Sequence, residues 1–253
     1  MRPWLFALVG CAFRPGAPTN VASGDAGGSD TGNPDAPADG PLDAAAPFCA
    51  SDPHLLMCFS FDQNPLPATL PNEGTAAVSA QVTSATSIAS PLGRAAQLDT
   101  ASEIYVAMGS GVTGVLSAEI WFRFDQMPAN NGDRMGLYDS NVAPPNISLF
   151  FYRADPIYTL RCGMGGETEV WNAPTLTTGT WFHAACVCDG TSLHMVVNGS
   201  DLGAMPGPCA SGGAFVTDGF TIGSNNNGGP TGIDSQLVGA IDGIRLWDDT
   251  IAF

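Results

Sequence analysis

Carboxylates, histidines and serines are the residues of this chain that could do catalytic chemistry. Glu167 and Glu169 are two positions apart, so a strand would place both carboxylates on one face, as a general acid and base require. No central Asp lies between them to tune such a pair, so an exposed strand is the expected interpretation. The three histidines are scattered, and neither a Gly-x-Ser-x-Gly motif nor a phosphate-binding loop occurs. The sequence therefore predicts no catalytic centre.

Amide and aromatic side chains offer binding chemistry instead. The segments 139–146 and 224–234 follow apolar runs, and loops of this kind carry many binding sites. Amides suit sugar hydroxyls, and an aromatic ring can stack on a sugar face. The candidates are Asn225, Asn226 and Asn227 for hydrogen bonding and Tyr138, Tyr152, Tyr158 and Trp171 for stacking. We predict a glycan or an extracellular protein as the ligand.

Seven cysteines indicate an oxidising compartment. With Cys11 set aside for the amino-terminal motif below, the even remainder predicts three disulfides. Cys49 and Cys58 form a local candidate pair. Cys186 and Cys188 leave one strand in the same direction and cannot readily bond to each other, so the expected pairs are Cys162–Cys186 and Cys188–Cys209, with the crossed pairing open. Cys-x-Cys spacing disfavours a zinc site.

The charge balance excludes some partners. The chain has 253 residues, 24 acidic residues against eight Arg and no Lys, and a formal net charge of −16. Such a surface repels nucleic acid and anionic lipid. It suits solubility outside the cell or divalent cations.

The amino terminus differs in composition from the rest of the chain. Leu8-Val9-Gly10-Cys11 resembles the lipobox of a bacterial lipoprotein signal, in which the Cys carries the lipid. Residues 12–47 are rich in Ala, Gly, Pro and Asp, which predicts a disordered tether. Ala12 points to an outer membrane, so the expected location is the bacterial outer membrane or cell surface, with plain secretion as the alternative. A single domain is expected over 48–253.

Short β-rich runs separated by Gly, Pro and Asn fill that domain, and none shows a sustained helical period. The most informative run is Trp181–Gly199, in which two alternating stretches are joined at Asp189-Gly190 and the second ends at Asn198-Gly199. Both faces of Trp181–Cys188 are largely apolar, which predicts a strand sandwiched between layers. We expect an all-β fold, a two-sheet antiparallel β-sandwich of the jelly-roll type.

The same run carries a family resemblance. It resembles the signature hairpin of laminin G-like, concanavalin A-like jelly-roll domains at Trp181, His183, Asp189, Gly190, Leu193, Asn198 and Gly199. Residues 55–62, 95–100, 117–124 and 238–249 are similar to further strands of that family in the same order. The resemblance implies that His183 has a packing or hydrogen-bonding role. It also implies a structural calcium ion between the opening and closing strands, held by Asp62 and Asp242.

These observations favour a non-catalytic, surface-tethered binding module over two alternatives. Glycoside hydrolases among the related jelly rolls carry a Glu-x-Asp-x-Glu or similar string, which this sequence lacks. A divergent carbohydrate-active enzyme and a purely structural surface protein are the alternatives.

Overall fold

The chain folds into short β-strands, as its alternating apolar and polar residues predict. The computed structural model describes residues 48–107, 112–140, 146–165, 167–206, 219–226 and 233–252. The strands within these residues are β1 (Leu55–Phe59), β2 (Thr69–Pro71), β3 (Ser79–Thr83), β4 (Thr86–Ser90), β5 (Gly93–Leu98), β6 (Glu103–Val106), β7 (Ser117–Phe124), β8 (Arg134–Asp139), β9 (Ile147–Ala154), β10 (Ile157–Met164), β11 (Glu167–Asn172), β12 (Trp181–Cys188), β13 (Ser192–Val197), β14 (Ser200–Pro206), β15 (Phe220–Ile222), β16 (Asn225–Asn226), β17 (Ile233–Asp234) and β18 (Gly239–Trp247). No helix in the described part of the chain has the length and hydropathy of a membrane span.

Two large antiparallel sheets form the sandwich. Sheet A has the order β14-β13-β12-β7-β18-β5-β4, and β1 also pairs with β18. Sheet B has the order β11-β10-β9-β8-β15-β6-β3-β2. The inner faces of both sheets share one core, which includes Phe122 and Phe124 from sheet A and Phe151 from sheet B. The predicted jelly-roll sandwich is therefore confirmed.

The signature hairpin owes its geometry to its turn residues. Asp189 Oδ1 accepts hydrogen bonds from the amides of Thr191 and Ser192 at 2.8 and 2.7 Å, which fixes the first turn. Asn198 has φ 49° and Gly199 φ 76°, the left-handed pair that a tight hairpin requires. Asn198 Oδ1 also accepts from the amide of His183 at 2.9 Å. The residues of this motif therefore have a structural role, because they fix both turns of the hairpin.

Disulfides reinforce the fold at two described places. Cys49–Cys58 ties the entry segment to β1, and Cys162–Cys186 joins β10 of sheet B to β12 of sheet A. Both pairings agree with the sequence prediction. Cys188 is disulfide-bonded as well, and its predicted partner Cys209 lies outside the described residues. A covalent link between the sheets restricts the unfolded chain and opposes their separation.

The outer face of β12 differs from the prediction. Phe182, Ala184, Cys186 and Cys188 face the core, but no second layer of sheet covers the other face among the described residues. Ala185 and Val187 form a small separate cluster with Val196 of β13. The chain end lies against this region: Thr250 Oγ1 donates to the carbonyl oxygen of Cys188 at 2.9 Å. The apolar residues of this outer face therefore pack within sheet A, and periodicity alone does not distinguish such a cluster from a face covered by a second sheet.

Candidate functional site

A groove lies on the outer face of sheet B. Alternation along β9 sends Ile147, Leu149 and Phe151 into the core. The intervening residues of β9 and their neighbours face outward and line a groove of ≈ 310 Å³: Arg134, Asp139, Asn146, Ser148, Phe150, Tyr152, Arg161, Thr168, Asn225 and Asn226. The lining combines aromatic rings, amides, hydroxyls and charged groups, which is the composition of a polar ligand site.

One end of the groove is basic and aromatic. The guanidinium carbon of Arg134 lies 4.8 Å from the Phe150 ring centroid, and that of Arg161 lies 5.9 Å from the Tyr152 ring centroid. Arg134 Nη1 donates to the Tyr152 hydroxyl oxygen at 3.1 Å, and Arg161 Nη1 approaches the same oxygen at 3.5 Å. Two cations from different strands thus meet at one phenol.

The other end is built from amides around Asp139. The Asn226 amide donates to Asp139 Oδ2 at 2.9 Å, and Asn225 Nδ2 donates to Asp234 Oδ1 at 2.7 Å. This segment can cross β8 only because residue 136 is a glycine: a Cβ there would lie 2.3 Å from the backbone carbon of Ser224. The glycine therefore lets the Asn-bearing segment form a wall of the groove.

Gly163 lets polar groups of the groove pack close to the backbone of β10. A Cβ at this position would lie 2.8 Å from Ser148 Oγ, 3.4 Å from Thr168 Oγ1 and 3.6 Å from Asn146 Nδ2. The glycine therefore allows these hydroxyl and amide groups to lie close together. Groups of this kind can bind ligand hydroxyls.

The structure divides the predicted ligand residues into two sets. Tyr152, Asn225 and Asn226 line the groove. Tyr158 is partly buried and stacks on Phe151, and Asn227 lies outside the described residues.

Tyr138 and Trp171 are corrections. Tyr138 is fully buried in the core and stacks on Phe220, because an irregularity in register between Gly136 and Tyr138 turns it inward. Trp171 is 2% exposed, and its indole N–H donates to the Gly203 carbonyl of β14 at 2.8 Å. Its ring bridges the edge strands of the two sheets and cannot stack on a ligand.

Sequence reasoning missed the two arginines and Phe150. The available signal was the alternation of apolar and polar residues along β9 and β10, which places Phe150, Tyr152 and Arg161 on the outer face of sheet B. Glu169 lies opposite Cys162 in the register, so it shares the core-facing side of β11 rather than the groove side. Asp139 is therefore the only carboxylate among the described groove-lining residues.

The predicted calcium ligands come together at a second location, the turn between β4 and β5. Asp62 Oδ1 accepts from the Arg94 amide at 2.9 Å, and Asp242 Oδ2 accepts from the Leu92 amide at 3.1 Å. Asp242 is 1% exposed, and its Oδ1 atom has no hydrogen-bond partner. A buried carboxylate oxygen without a partner is costly unless a cation or proton binds it.

Local backbone geometry serves this acidic pair. Phe61 has φ 55°, an uncommon conformation for a bulky residue, immediately before Asp62. Gly93 has φ 137°, and a Cβ there would lie 2.4 Å from Asp62 Oδ1. The chain therefore bends and leaves space for the Asp62 carboxylate.

Electrostatics agree with this geometry. Burial raises the pKa of Asp242 to about 6, and the neighbouring Asp62 carboxylate adds to that rise. The Leu92 amide and the Ser90 hydroxyl favour the ionised form, although Ser90 Oγ does not reach hydrogen-bond geometry. The two carboxylates supply oxygen ligands of the kind that a hard cation such as Ca²⁺ prefers. No cluster of three or more His, Cys, Asp or Glu that could hold a metal occurs among the described residues.

A third polar cluster lies on the outer face of sheet A. Glu119, 1% exposed, accepts a hydrogen bond from His183 Nε2 at 2.7 Å and forms an ion pair with Arg245. The Arg245 guanidinium carbon also lies 4.3 Å from the Phe48 ring centroid. His183 thus has a hydrogen-bonding role, in agreement with the expectation for this residue.

The comparisons with solved structures show the fold. Domain 4 of AbnA, a GH43 extracellular arabinanase from Geobacillus stearothermophilus, in complex with arabinotriose, is 18% identical with a TM-score of 0.52, covering 78% of this chain and 94% of that domain. The botulinum neurotoxin serotype D binding domain is 11% identical with a TM-score of 0.54, covering 78% of this chain and 48% of that one. A Trypanosoma rangeli sialidase in complex with 2,3-difluorosialic acid is 13% identical with a TM-score of 0.53, and the match spans 31% of its length.

The family comparison is more specific. No curated protein matches the sequence. The laminin G-type model described as the concanavalin A-like lectin/glucanases superfamily matches residues 98–252, which include the signature hairpin, most of sheet B and the closing strand. This chain therefore belongs to the concanavalin A-like lectin/glucanases superfamily.

Proposed function

We propose that this protein is a non-catalytic glycan-binding module and that the groove on sheet B is its binding site. The observation that carries the proposal is the joint presence of aromatic rings, hydroxyls and amides in one groove, where Ser148, Thr168 and Asn146 pack close to Gly163. Sugars present apolar ring faces and many hydroxyls, so they match this combination. The arabinotriose complex of the structurally similar arabinanase domain is consistent with such a use of the fold.

The single carboxylate among the described groove-lining residues supports binding over hydrolysis. Glycoside hydrolysis requires two carboxyl groups facing each other across the scissile bond. Asp139 is the only acidic residue among the described groove-lining residues, and it is 5% exposed and hydrogen-bonded to the Asn226 amide. Asp139 therefore positions the segment that carries Asn225 and Asn226, and its carboxylate can accept a hydrogen bond from a sugar hydroxyl.

A glycan array followed by titration calorimetry of the strongest ligand tests the proposal. Tyr152→Ala should weaken binding by about tenfold, because the stacking surface and the hydroxyl are lost together. Ile157→Ala is the control, since Ile157 is 44% exposed at the start of β10, lies opposite Ala154 and does not line the groove. An array without signal would favour the purely structural alternative, and release of reducing sugar from a bound polysaccharide would favour the enzyme.

The proposal includes attachment to a bacterial surface. Cys11 would carry the lipid and residues 12–47 would act as the tether, both of which lie outside the described residues. Incorporation of labelled palmitate in the expressing bacterium, and its loss in Cys11→Ser, is the expected result. Unchanged labelling in the variant would contradict the anchor.

We also propose that Asp62 and Asp242 hold a structural Ca²⁺ ion. The proposal is supported by the buried Asp242 Oδ1 atom without a partner and by the space that Gly93 leaves for Asp62. A bound cation would neutralise the acidic pair and fix the turn between β4 and β5 to the closing strand β18. Thermal unfolding with Ca²⁺ and with a chelator should differ by several degrees.

A further inference from the structure

We propose that the groove selects acidic glycans by binding a sugar carboxylate between Arg134 and Arg161. This inference rests on the proposed glycan-binding function and narrows its ligand to uronic or sialic acid chemistry. Guanidinium groups present pairs of N–H donors that match the two oxygens of a carboxylate. The groove provides two such groups on adjacent sides of one tyrosine.

Comparison of the arginines in the described residues separates Arg161 from the others. Arg123, Arg153 and Arg245 each form an ion pair with a carboxylate of the protein: Asp125, Asp155 and Glu119, respectively. Arg94 lacks an ion pair but donates to Ser87 at 2.7 Å through Nε.

Arg161 has no ion-pair partner and only one long hydrogen bond among the described residues. Its side chain is exposed, no carboxylate of the described residues lies within 4.0 Å of it, and its single hydrogen bond is the 3.5 Å contact with Tyr152. Arg134 is weakly paired with Asp234 at 3.8 Å, and its Nε atom donates to Ser235 Oγ at 3.2 Å. In a chain with 24 acidic residues and eight arginines, two incompletely neutralised cations at one place require an explanation. An anionic ligand supplies it.

The position of the pair makes a shared ligand possible. Arg134 lies opposite Tyr152 in the register of β8 with β9, and Arg161 lies opposite Phe150 in the register of β10 with β9. The two guanidinium groups approach Tyr152 from opposite neighbouring strands and both contact its hydroxyl oxygen. A carboxylate above that hydroxyl would accept N–H groups from both arginines and reduce their mutual repulsion.

The groove also gives the ligand a direction. Asp139 lies opposite Ser148, four residues along β9 from Tyr152, which corresponds to roughly 13 Å. A carboxylate at that end would face the Asp139 carboxylate and be repelled, whereas sugar hydroxyls could bind there. The acidic sugar should therefore lie at the end formed by Arg134 and Arg161, with neutral sugars toward Asp139.

Titration calorimetry with matched acidic and neutral ligands tests the inference. The probes are oligogalacturonate with its methyl ester, and sialyllactose with lactose. The full chain should bind the acidic member of at least one pair about tenfold more tightly, and the pair that shows this identifies the source of the carboxylate. Arg161→Gln should abolish the preference, while Arg153→Gln, with the same change in net charge, should retain it.

The outcomes separate this inference from the function on which it rests. Equal affinity for acidic and neutral members, or an undiminished preference in Arg161→Gln, would overturn the carboxylate site and leave glycan binding intact. Absence of binding to these probes and to every glycan of the array would overturn both. Weaker binding at higher salt for the acidic member alone is a further expected result.

Discussion

The outer faces of the two sheets use the same residue types in different ways. On sheet A, Arg245 is paired with the buried Glu119, which also binds His183. On sheet B, Arg134 and Arg161 lie beside aromatic rings. Among the described carboxylates they form one weak ion pair, that of Arg134 with Asp234. Arginine over an aromatic ring is thus a structural feature on one face and a candidate binding feature on the other.

A buried carboxylate explains the difference. The segment at Phe48 packs on sheet A so closely that a Cβ on Gly243 would lie 2.4 Å from the Phe48 ring. Glu119 on the same face is 1% exposed, and a buried charge is costly unless the protein itself neutralises it. The arginines of the two faces are similarly exposed, Arg245 at 29% and Arg134 at 33%. The buried carboxylate beside Arg245, rather than composition or exposure, therefore distinguishes the two faces.

The largest expected effect is at this buried carboxylate. Glu119→Gln removes the carboxylate shared by Arg245 and His183, and it should lower the free energy of unfolding by about 3 kcal/mol in urea denaturation. Asp125→Asn is the control, because Asp125 is 33% exposed in its pair with Arg123 and should cost less than about 1 kcal/mol. Equal effects of the two substitutions would contradict the distinction between buried and exposed carboxylates.

At the turn between β4 and β5, the comparison extends to Asp242, a buried carboxylate that has no positively charged partner among the described residues. Asp242→Asn should raise the free energy of unfolding by about 2 kcal/mol at pH 7.5 in chelator, since an uncompensated carboxylate is lost and the Leu92 amide keeps an acceptor. The variant should no longer respond to Ca²⁺. Lower stability than wild type in chelator would show that the protein already neutralises this group.

The pH dependence of the wild type follows from the same residue. The pKa of Asp242 in the folded state is about 6, above its ordinary value of 3.8, so the folded protein holds this proton more tightly. Its contribution to stability is complete below pH 3.8 and is lost as pH rises through 6. In chelator, the stability difference between wild type and Asp242→Asn should therefore widen between pH 4 and 7.

A smaller effect is expected in the core at Tyr138. The hydroxyl of this fully buried residue has no hydrogen-bond partner, and burial raises its pKa. Tyr138→Phe removes a desolvated hydroxyl without changing the ring that stacks on Phe220, so it should be neutral or stabilising by up to about 1 kcal/mol. Loss of glycan binding in this variant would mean that the residue acts on the groove after all.

The smallest expected effect is at His194, on β13 of sheet A, where the side chain is 26% exposed. The hydrogen bond to Asp201 is the largest cause that raises the pKa of His194 above 6.5, and Asp189 contributes further. Stability from this group is present below pH 6.5 and is lost as pH rises through the higher folded-state pKa. His194→Gln should reduce the change in the free energy of unfolding between pH 6 and pH 8 by a few tenths of a kcal/mol. A change as large as that of Glu119→Gln would contradict the expectation that solvent screens the interactions of His194 with Asp201 and Asp189.

Much of the fold was predictable from local sequence. The extents of β7 and β12 and the turns at Asp189-Gly190 and Asn198-Gly199 follow from alternation and turn chemistry. The edge strand β14 (Ser200–Pro206) was missed because it is exposed and contains Asp201 and Gly203. Its pairing with β13 depends on the hairpin rather than on its own strand propensity.

The candidate site was predictable only in part. Tyr152, Asn225 and Asn226 were identified from residue type, but Tyr138 and Trp171 were wrong for reasons that lie outside their local sequence. A single irregularity in the pairing of β8 with β9 reverses the side on which Tyr138 lies. Trp171 is buried because the edges of two sheets meet at its ring.

The sequence by itself determined that this chain forms antiparallel strands, where its tightest turns lie and which residues alternate together, because each depends on neighbours within a few positions. The tertiary structure decided that Arg134 and Arg161 meet at Tyr152 and that Glu119 is enclosed with Arg245. Those contacts depend on register between strands distant in sequence and on which face a terminal segment covers. Long-range pairing of this kind leaves no periodic signal in the chain.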